Sequence, residues 1–344
     1  MLSKVAGELG QWKKSLYMYV DQLNRSRVNP KGEQKRTVLA RPELLLDQGE
    51  RSRRLADWYA GRGITPLRGE TGVKVRNVAR ETATEAVADI ALHSAFYYEK
   101  GGITHREDIV ETERLTFVRE GTGWKVAAVE RRIAERSAAA GGRGGRDAAD
   151  ERPRSKQPAA PLLNRRVLGA PESPRRVRYR REAAAAYADR WWQEGNPEFE
   201  TFEVDCTNYI SQCLFAGGAP IHYTGRRETG WWYKGYEEGR EWWSFSWAVS
   251  DSLQRYLGAE RKAGLRAEEV YRPEQLMLGD VIFYDWDGNG RYQHSTIVTA
   301  FDAGGMPLVN AHTVSSRHRY WDYKDSYAWT ERTSYRFFHI SDYL

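Results

Sequence analysis

Asp205-Cys206-Thr207-Asn208-Tyr209-Ile210-Ser211-Gln212-Cys213-Leu214-Phe215-Ala216-Gly217-Gly218 is the stretch on which the reading of this chain turns. Tyr209, Ile210, Cys213 and Leu214 recur at helical spacing and Gly217-Gly218 supplies a stop, so a helix is predicted from Cys206 onward. Asp205 is a strong residue for the position just ahead of a first turn. Cys206 then falls inside that turn, where unpaired N–H groups and the positive end of the helix dipole favour a thiolate. The thiolate is the form that attacks a carbonyl carbon, and this placement is one route to a lowered cysteine pKa. Cys213 lies seven residues on, about 10 Å further along at ~1.5 Å per residue. A disulfide needs Cα atoms within about 7 Å, so the helix forbids pairing and Cys213 reads as a buried helix residue.

Three strands are predicted downstream. Asp280 to Asp285 follows the turn Leu278-Gly279. Gln293 to Ala300 opens with His294. Pro307 to Thr313 carries Asn310 and His312 on one face, because strand side chains alternate with period two. A helix-borne cysteine, a histidine opening a strand, and an Asn or His on the next strand form a Cys–His–polar arrangement. The histidine takes the thiol proton and later protonates the leaving amine, while the third group fixes its tautomer. Asp285, Asp287, Asn289 and Gly290 match the first half of a calcium loop. Thr296 stands where the bidentate Glu belongs, so a polar hairpin turn is the better reading and no metal or other cofactor is expected. In each of the pairs Trp231-Trp232 and Trp242-Trp243 one ring is expected to face outward, lining a peptide or glycan cleft beside Cys206. Trp247, with Val249, Leu253 and Leu257, reads as a helix packing inward.

The whole chain has 344 residues, enough for about two domains, and is 40% hydrophobic and 29% charged, a globular composition. No apolar run approaches the ~20 residues that cross a bilayer, and Met1 to Asn24 lacks the pattern of a secretory leader. Two cysteines exclude a disulfide scaffold and a multi-cysteine zinc site. The net charge of +6 is concentrated in residues 136–178, which hold 11 Lys/Arg against 4 Asp/Glu. No residue there is aromatic and 18 of the 43 are Gly, Ala or Pro. That composition suits a solvated flexible linker with loose polyanion contact, not a surface for specific nucleic-acid binding.

The expected organisation is therefore an N-terminal α+β domain (1–132), a basic linker (133–178) and a second domain (179–344). In the first, Leu9, Trp12, Leu16, Tyr19 and Leu23 form one helical stripe, and Leu44, Leu45, Leu55 and Trp58 mark a second helix over Pro42 to Tyr59. Extended segments follow at Ala86 to Tyr98, Ile109 to Val118 and Trp124 to Val129, with Gly121-Thr122-Gly123 as a turn. Helices followed by an antiparallel meander resemble the nuclear-transport-factor-like cone fold. His93 and His105 are assigned no chemistry.

Residues 179–344 resemble the bacterial putative amidase domain, a papain-like relative of the cell-wall cysteine peptidases and CHAP amidases. The resemblance is carried by Tyr179-Arg180, Ala186-Tyr187-Ala188, Trp191-Trp192, Asn196-Pro197, Asp205 to Cys213, Ala216 to Gly218, Ser246-Trp247, Leu278 to Asp280, His294-Ser295 and His312-Thr313. It implies a papain-like α+β cysteine hydrolase with Cys206 as nucleophile and His294 as general base and acid. His312 or Asn310 takes the third position, His312 being slightly favoured. The Cys206 N–H is a natural oxyanion donor, with Asp205, Asn208 or Gln212 in support. The expected activity is thiol-dependent hydrolysis of a peptide or peptidoglycan-like amide through a Cys206 thioester. A non-catalytic wall- or peptide-binding module and an acyltransferase with the same chemistry are the alternatives. Free cysteines without a leader fit the cytoplasm, whereas the resemblance points to the cell wall or exterior.

Overall fold

The computed structural model describes residues 10–32, 38–136, 177–237, 240–262 and 264–344. The chain divides into two compact units, Met1–Arg132 and Ile133–Leu344. Most of the basic stretch, residues 137–176, lies outside the described residues, and with it the expectations of a flexible linker and of polyanion contact.

The first unit is α+β. Helices α1 (Trp12–Val28) and α2 (Pro42–Arg62) precede strands β1 (Thr65–Glu81), β2 (Glu85–Lys100), β3 (Ile103–Glu120) and β4 (Gly123–Arg131). The strands form an antiparallel meander in chain order. Helix α1 buries Trp12, Leu16, Tyr19 and Val20, which meet Ala86, Ala88, Ile90 and Leu92 of β2 and Leu115 and Phe117 of β3 in one core. Helix α2 starts with Pro42 at its first position and stops at Gly63, whose φ of 64° is a left-handed cap. It buries Leu55, Trp58 and Tyr59, whereas Leu45 is exposed. Buried Glu113 is satisfied locally: it accepts from Tyr19 Oη at 2.8 Å and from Arg131 Nε at 2.6 Å. Burial pushes the Glu113 carboxyl up against the opposing pull of Arg131.

The second unit is also α+β, and its sheet has the order β11-β10-β9-β8-β12-β7. These strands are β7 (Ala267–Val270), β8 (Val281–Asp285), β9 (His294–Phe301), β10 (Pro307–Ala311), β11 (Ser316–Tyr320) and β12 (Ser334–Ile340). Every neighbouring pair is antiparallel. Helices α3 (Arg181–Trp191) and α4 (Cys206–Ala216) pack together and against β9. A ribbon of β5 (Tyr233–Glu237) and β6 (Arg240–Trp243) leads into the short helices α5 (Phe245–Ala248) and α6 (Ser250–Leu257). The sheet is buried on both faces. Val281, Phe283, Ile297 and Phe338 meet the helices, while Ile282, Tyr284, Val298, Val309 and Phe337 form a second core on the other side. Alternate residues thus serve opposite cores, which is why β8 reads as a continuous apolar run.

The aromatic pairs depart from the outward-facing expectation. Trp231, Trp232 and Trp243 are 0%, 1% and 4% exposed, and Trp231 and Trp243 belong to the helix-side core. The Trp231 indole donates to Ser211 Oγ at 3.0 Å and that of Trp232 to the Thr229 carbonyl at 3.0 Å. Burial with paired N–H groups makes these rings core and not cleft lining. Trp242 is half-buried, with the Arg240 guanidinium 4.0 Å over its ring. The Asp285 turn has the polar form expected: its carboxylate accepts from the Asp287 and Gly290 N–H groups at 3.1 and 2.7 Å.

The end of α4 is fixed by close packing on Tyr179. A Cβ at Gly217 would lie 2.3 Å from Tyr179 Cε2, and that ring is held by its hydroxyl donating to the Gly279 carbonyl at 2.9 Å. Gly217→Ala should therefore destabilise the protein by about 1–3 kcal/mol in urea denaturation. Gly49→Ala, in an exposed stretch of α2 with nothing within 4 Å of the added carbon, should stabilise by about 0.5–1 kcal/mol.

Candidate active site

Helix α4 begins at Cys206, with Asp205 just before it. The Asp205 carboxylate does not cap the helix by bonding its own first-turn N–H groups. Its Oδ1 instead accepts from the Phe202 N–H at 3.0 Å and from Asn208 Nδ2 at 2.9 Å. Its Oδ2 faces His312 Nδ1 at 2.8 Å. The role of helix cap passes to a distant residue. Thr313 Oγ1 accepts from the backbone N–H groups of Asp205 and Cys206, at 3.1 and 3.2 Å.

Strand β10 ends at Ala311, so His312 and Thr313 lie in the turn to β11 and not on the strand. Thr313 has φ 78°. For a β-branched residue this is a genuine outlier, of a kind that costs roughly 1–3 kcal/mol. His312 Nε2 meets the Trp191 carbonyl at 2.7 Å, and the ring stacks on Tyr209 with centroids 4.0 Å apart. His312 is thus held at both ring nitrogens, by the Asp205 carboxylate on one side and the Trp191 carbonyl on the other. Asn310 is on the same helix-facing side. Its Nδ2 donates to Asp189 at 3.0 Å, and its Oδ1 accepts from Thr299 and from the His318 N–H, each at 2.8 Å. Asp189 also pairs with Arg317 and His318, each at 3.1 Å. Burial would raise the Asp189 pKa, but bonds from His318 and Asn310 hold it down to about 2.

His294 opens β9 directly opposite Tyr284 of β8. Its ring lies in an aromatic box, with centroids 5.5 Å from Tyr284, 5.8 Å from Trp286 and 5.4 Å from Tyr323. It is fully buried, and neither ring nitrogen makes a hydrogen bond of ordinary geometry to the described residues. Neither Asn310 nor His312 is therefore bonded to it. The ring still acts on Cys206. Burial would raise the thiol pKa, but the interaction with His294, through hydrogen bonding and charge, overcomes that and brings it below the ordinary value. The Thr207 hydroxyl, 3.7 Å from Sγ, and the Ser295 backbone add to the lowering. Cys213 is also buried, and burial pushes its thiol well up. The two cysteines are both free.

Asn208 and Gln212 are engaged in structure. Asn208 Nδ2 also donates to the Glu200 carbonyl at 2.7 Å, and Oδ1 accepts from the Trp247 indole at 2.9 Å. Gln212 Oε1 accepts from Tyr187 Oη at 2.8 Å. The Asp205 carboxylate, an acceptor from Phe202 and Asn208, organises the helix start. Thr313 and the box residues Tyr284, Trp286 and Tyr323 escaped sequence reasoning. His312-Thr313 stood out only as a motif piece, and nothing in a sequence marks a threonine for a left-handed backbone. Among the described residues no group of His, Cys, Asp and Glu is arranged to hold a metal ion.

Comparison with known proteins bears on the segment that carries this geometry. Residues 178–338 match the family described as a putative amidase domain. The match includes Cys206, His294, Asn310, His312 and Thr313. The chain is also 51% identical over 168 residues to the uncharacterized protein YhbB of Bacillus subtilis (strain 168). That alignment covers 49% of this chain and 52% of the relative, so the chain spans about half the length of the curated protein it matches. No solved structure matches.

Two outcomes follow from this geometry. Alkylation by iodoacetamide should begin at Cys206 below the ordinary thiol range of about 8.5, since the rate follows the thiolate fraction and the pKa is lowered. Cys213 should stay silent, and His294→Ala should move the Cys206 profile to higher pH; peptide-resolved mass spectrometry reads all three. Asn208→Ala leaves the Trp247 indole and the Glu200 carbonyl short of a partner and should cost about 2–3 kcal/mol in urea denaturation.

Proposed function

We propose that the second unit is a thiol-dependent amide hydrolase. The match to a putative amidase domain supports amide hydrolysis as the reaction class. The observation that carries the mechanism is the thiol of Cys206, at the first residue of a helix, with its pKa lowered by the adjoining His294. A helix bearing the cysteine, packed on an antiparallel sheet whose strand opens with the histidine, is also the basis for a papain-like relationship.

In this reading His294 takes the Cys206 proton and the sulfur attacks the amide carbon. A C–S bond forms and the carbonyl π pair moves to oxygen. When the tetrahedral species collapses, the C–N bond breaks and the amine leaves with the proton from His294. Water, deprotonated by His294, then attacks the thioester and frees Cys206. His294 has two nitrogens without bonds of ordinary geometry, and catalytic bonds of this kind tighten on substrate binding. Asp205 and His312 hold the helix start in place, and a peptide-type amide, such as one in peptidoglycan, is the substrate class proposed.

An acyl p-nitrophenyl ester tests the reading without knowledge of the natural amine. Wild type should release a burst of p-nitrophenol and gain the acyl mass on Cys206. Cys206→Ala should give neither, and His294→Ala should slow acylation by on the order of 100-fold or more. A wild-type protein that takes up no acyl group, or one whose adduct forms equally fast without His294, would overturn the proposal.

A further inference from the structure

We infer that the Thr313 hydroxyl donates the hydrogen bond that stabilises the oxyanion formed when Cys206 attacks the substrate carbonyl. The inference deepens the thioester reading and rests on it. The Cys206 N–H, the donor that the cysteine's own backbone offers, is already bonded to Thr313 Oγ1 at 3.2 Å, and the Asp205 N–H is bonded to the same oxygen at 3.1 Å. With both lone-pair directions of the hydroxyl taken by N–H groups, its hydrogen is left for the third direction. No acceptor among the described residues is bonded to it. Two accepted bonds polarise an O–H and make it a better donor. The positive end of α4 thereby reaches the substrate through one added atom.

Two independent features agree. His294, 0% exposed and with neither nitrogen bonded in ordinary geometry, lies against the same thiol, so the site holds unspent polar capacity for a ligand. Thr313 also keeps a left-handed backbone at φ 78°. Glycine or asparagine would adopt that conformation more easily, and neither supplies a hydroxyl. Two other candidates are otherwise engaged: Asn208 Nδ2 bonds Glu200 and Asp205, and the Asp205 carboxylate has only acceptors to offer.

In the acylation step the sulfur–carbon bond forms and the π electron pair moves onto the carbonyl oxygen. Thr313 bonds that oxygen without transferring its proton, and the oxygen returns its pair when the amine leaves. Donors of this kind are worth on the order of 100-fold or more in rate.

Acylation and alkylation separate this role from a structural one. Alkylation by iodoacetamide passes through no oxyanion and reads only the thiolate. Acylation by a p-nitrophenyl ester needs both. Thr313→Val should lower the acylation rate by on the order of 100-fold while the pH profile of Cys206 alkylation stays in place. Thr313→Ser, which keeps the hydroxyl, should acylate within a few-fold of wild type. Unchanged acylation in Thr313→Val, or faster acylation because the Cys206 N–H has been released, would overturn the inference. So would a parallel fall in alkylation in Thr313→Val, which would make Thr313 a helix cap alone. If Thr313→Val does not fold, Thr313→Ala carries the same comparison and the same overturning results. Wild type that takes up no acyl group would instead sink the underlying thioester reading.

Discussion

The Asp205 carboxylate is the point on which the site hangs. One of its oxygens collects the Phe202 N–H and the Asn208 amide, and the other faces His312. The loop before α4 and the first turn of α4 are tied there to a segment more than a hundred residues away, the turn after β10. His312 carries the connection on to the last turn of α3 through the Trp191 carbonyl. A buried carboxylate is costly unless it is fully bonded, and here every bond that satisfies it also orients the start of the helix bearing Cys206. The same turn delivers Thr313 to the helix end. The Cys206 thiol is thus placed by a network of directional bonds, and not by apolar packing alone.

The site also has two different faces. On the helix side, Asn310, His312, Asp189 and Asp205 form a polar layer in which each side chain has named partners. On the other side, His294 sits among aromatic rings and makes no regular bond to the described residues. The thiol between them feels both environments. Its burial would favour the neutral form, and the histidine reverses that preference.

Local patterns were the legible part of this fold. The helix from Cys206 to Ala216, the strands opening at Val281, His294 and Pro307, and the meander of the first unit all follow from apolar periodicity and turn residues within a few positions. What could not be read is what long-range contacts decide. Asn310 and His312 belong to one side as period two suggests, yet their partners are Asp189 and Asp205, more than a hundred residues away. The tryptophan pairs look amphipathic in sequence, but the core takes both rings at 231 and 232 because Ser211 and the Thr229 carbonyl satisfy their N–H groups. Thr313 departs from its own intrinsic preference, and only a tertiary bond to the helix end accounts for it. Conflict between local preference and the observed backbone is expected at functional positions.

One residue ahead of the matched segment has a disproportionate part in the core. Glu135 bonds Arg319 and Ser326 through its carboxylate, and its carbonyl accepts the Trp286 indole N–H at 3.0 Å. Arg319 is 2% exposed and lies 3.9 Å over the Tyr323 ring, so Glu135 and Asp325 supply the countercharge beneath the aromatic box. The family match begins at residue 178. A recombinant fragment cut at that point would keep every residue of the proposed chemistry and still lose this anion. It would leave a guanidinium in the interior with half its neutralisation gone, a costly defect in a buried ion cluster. Homology thus marks where the recognisable sequence starts, whereas the folding unit, set by charge balance, starts earlier.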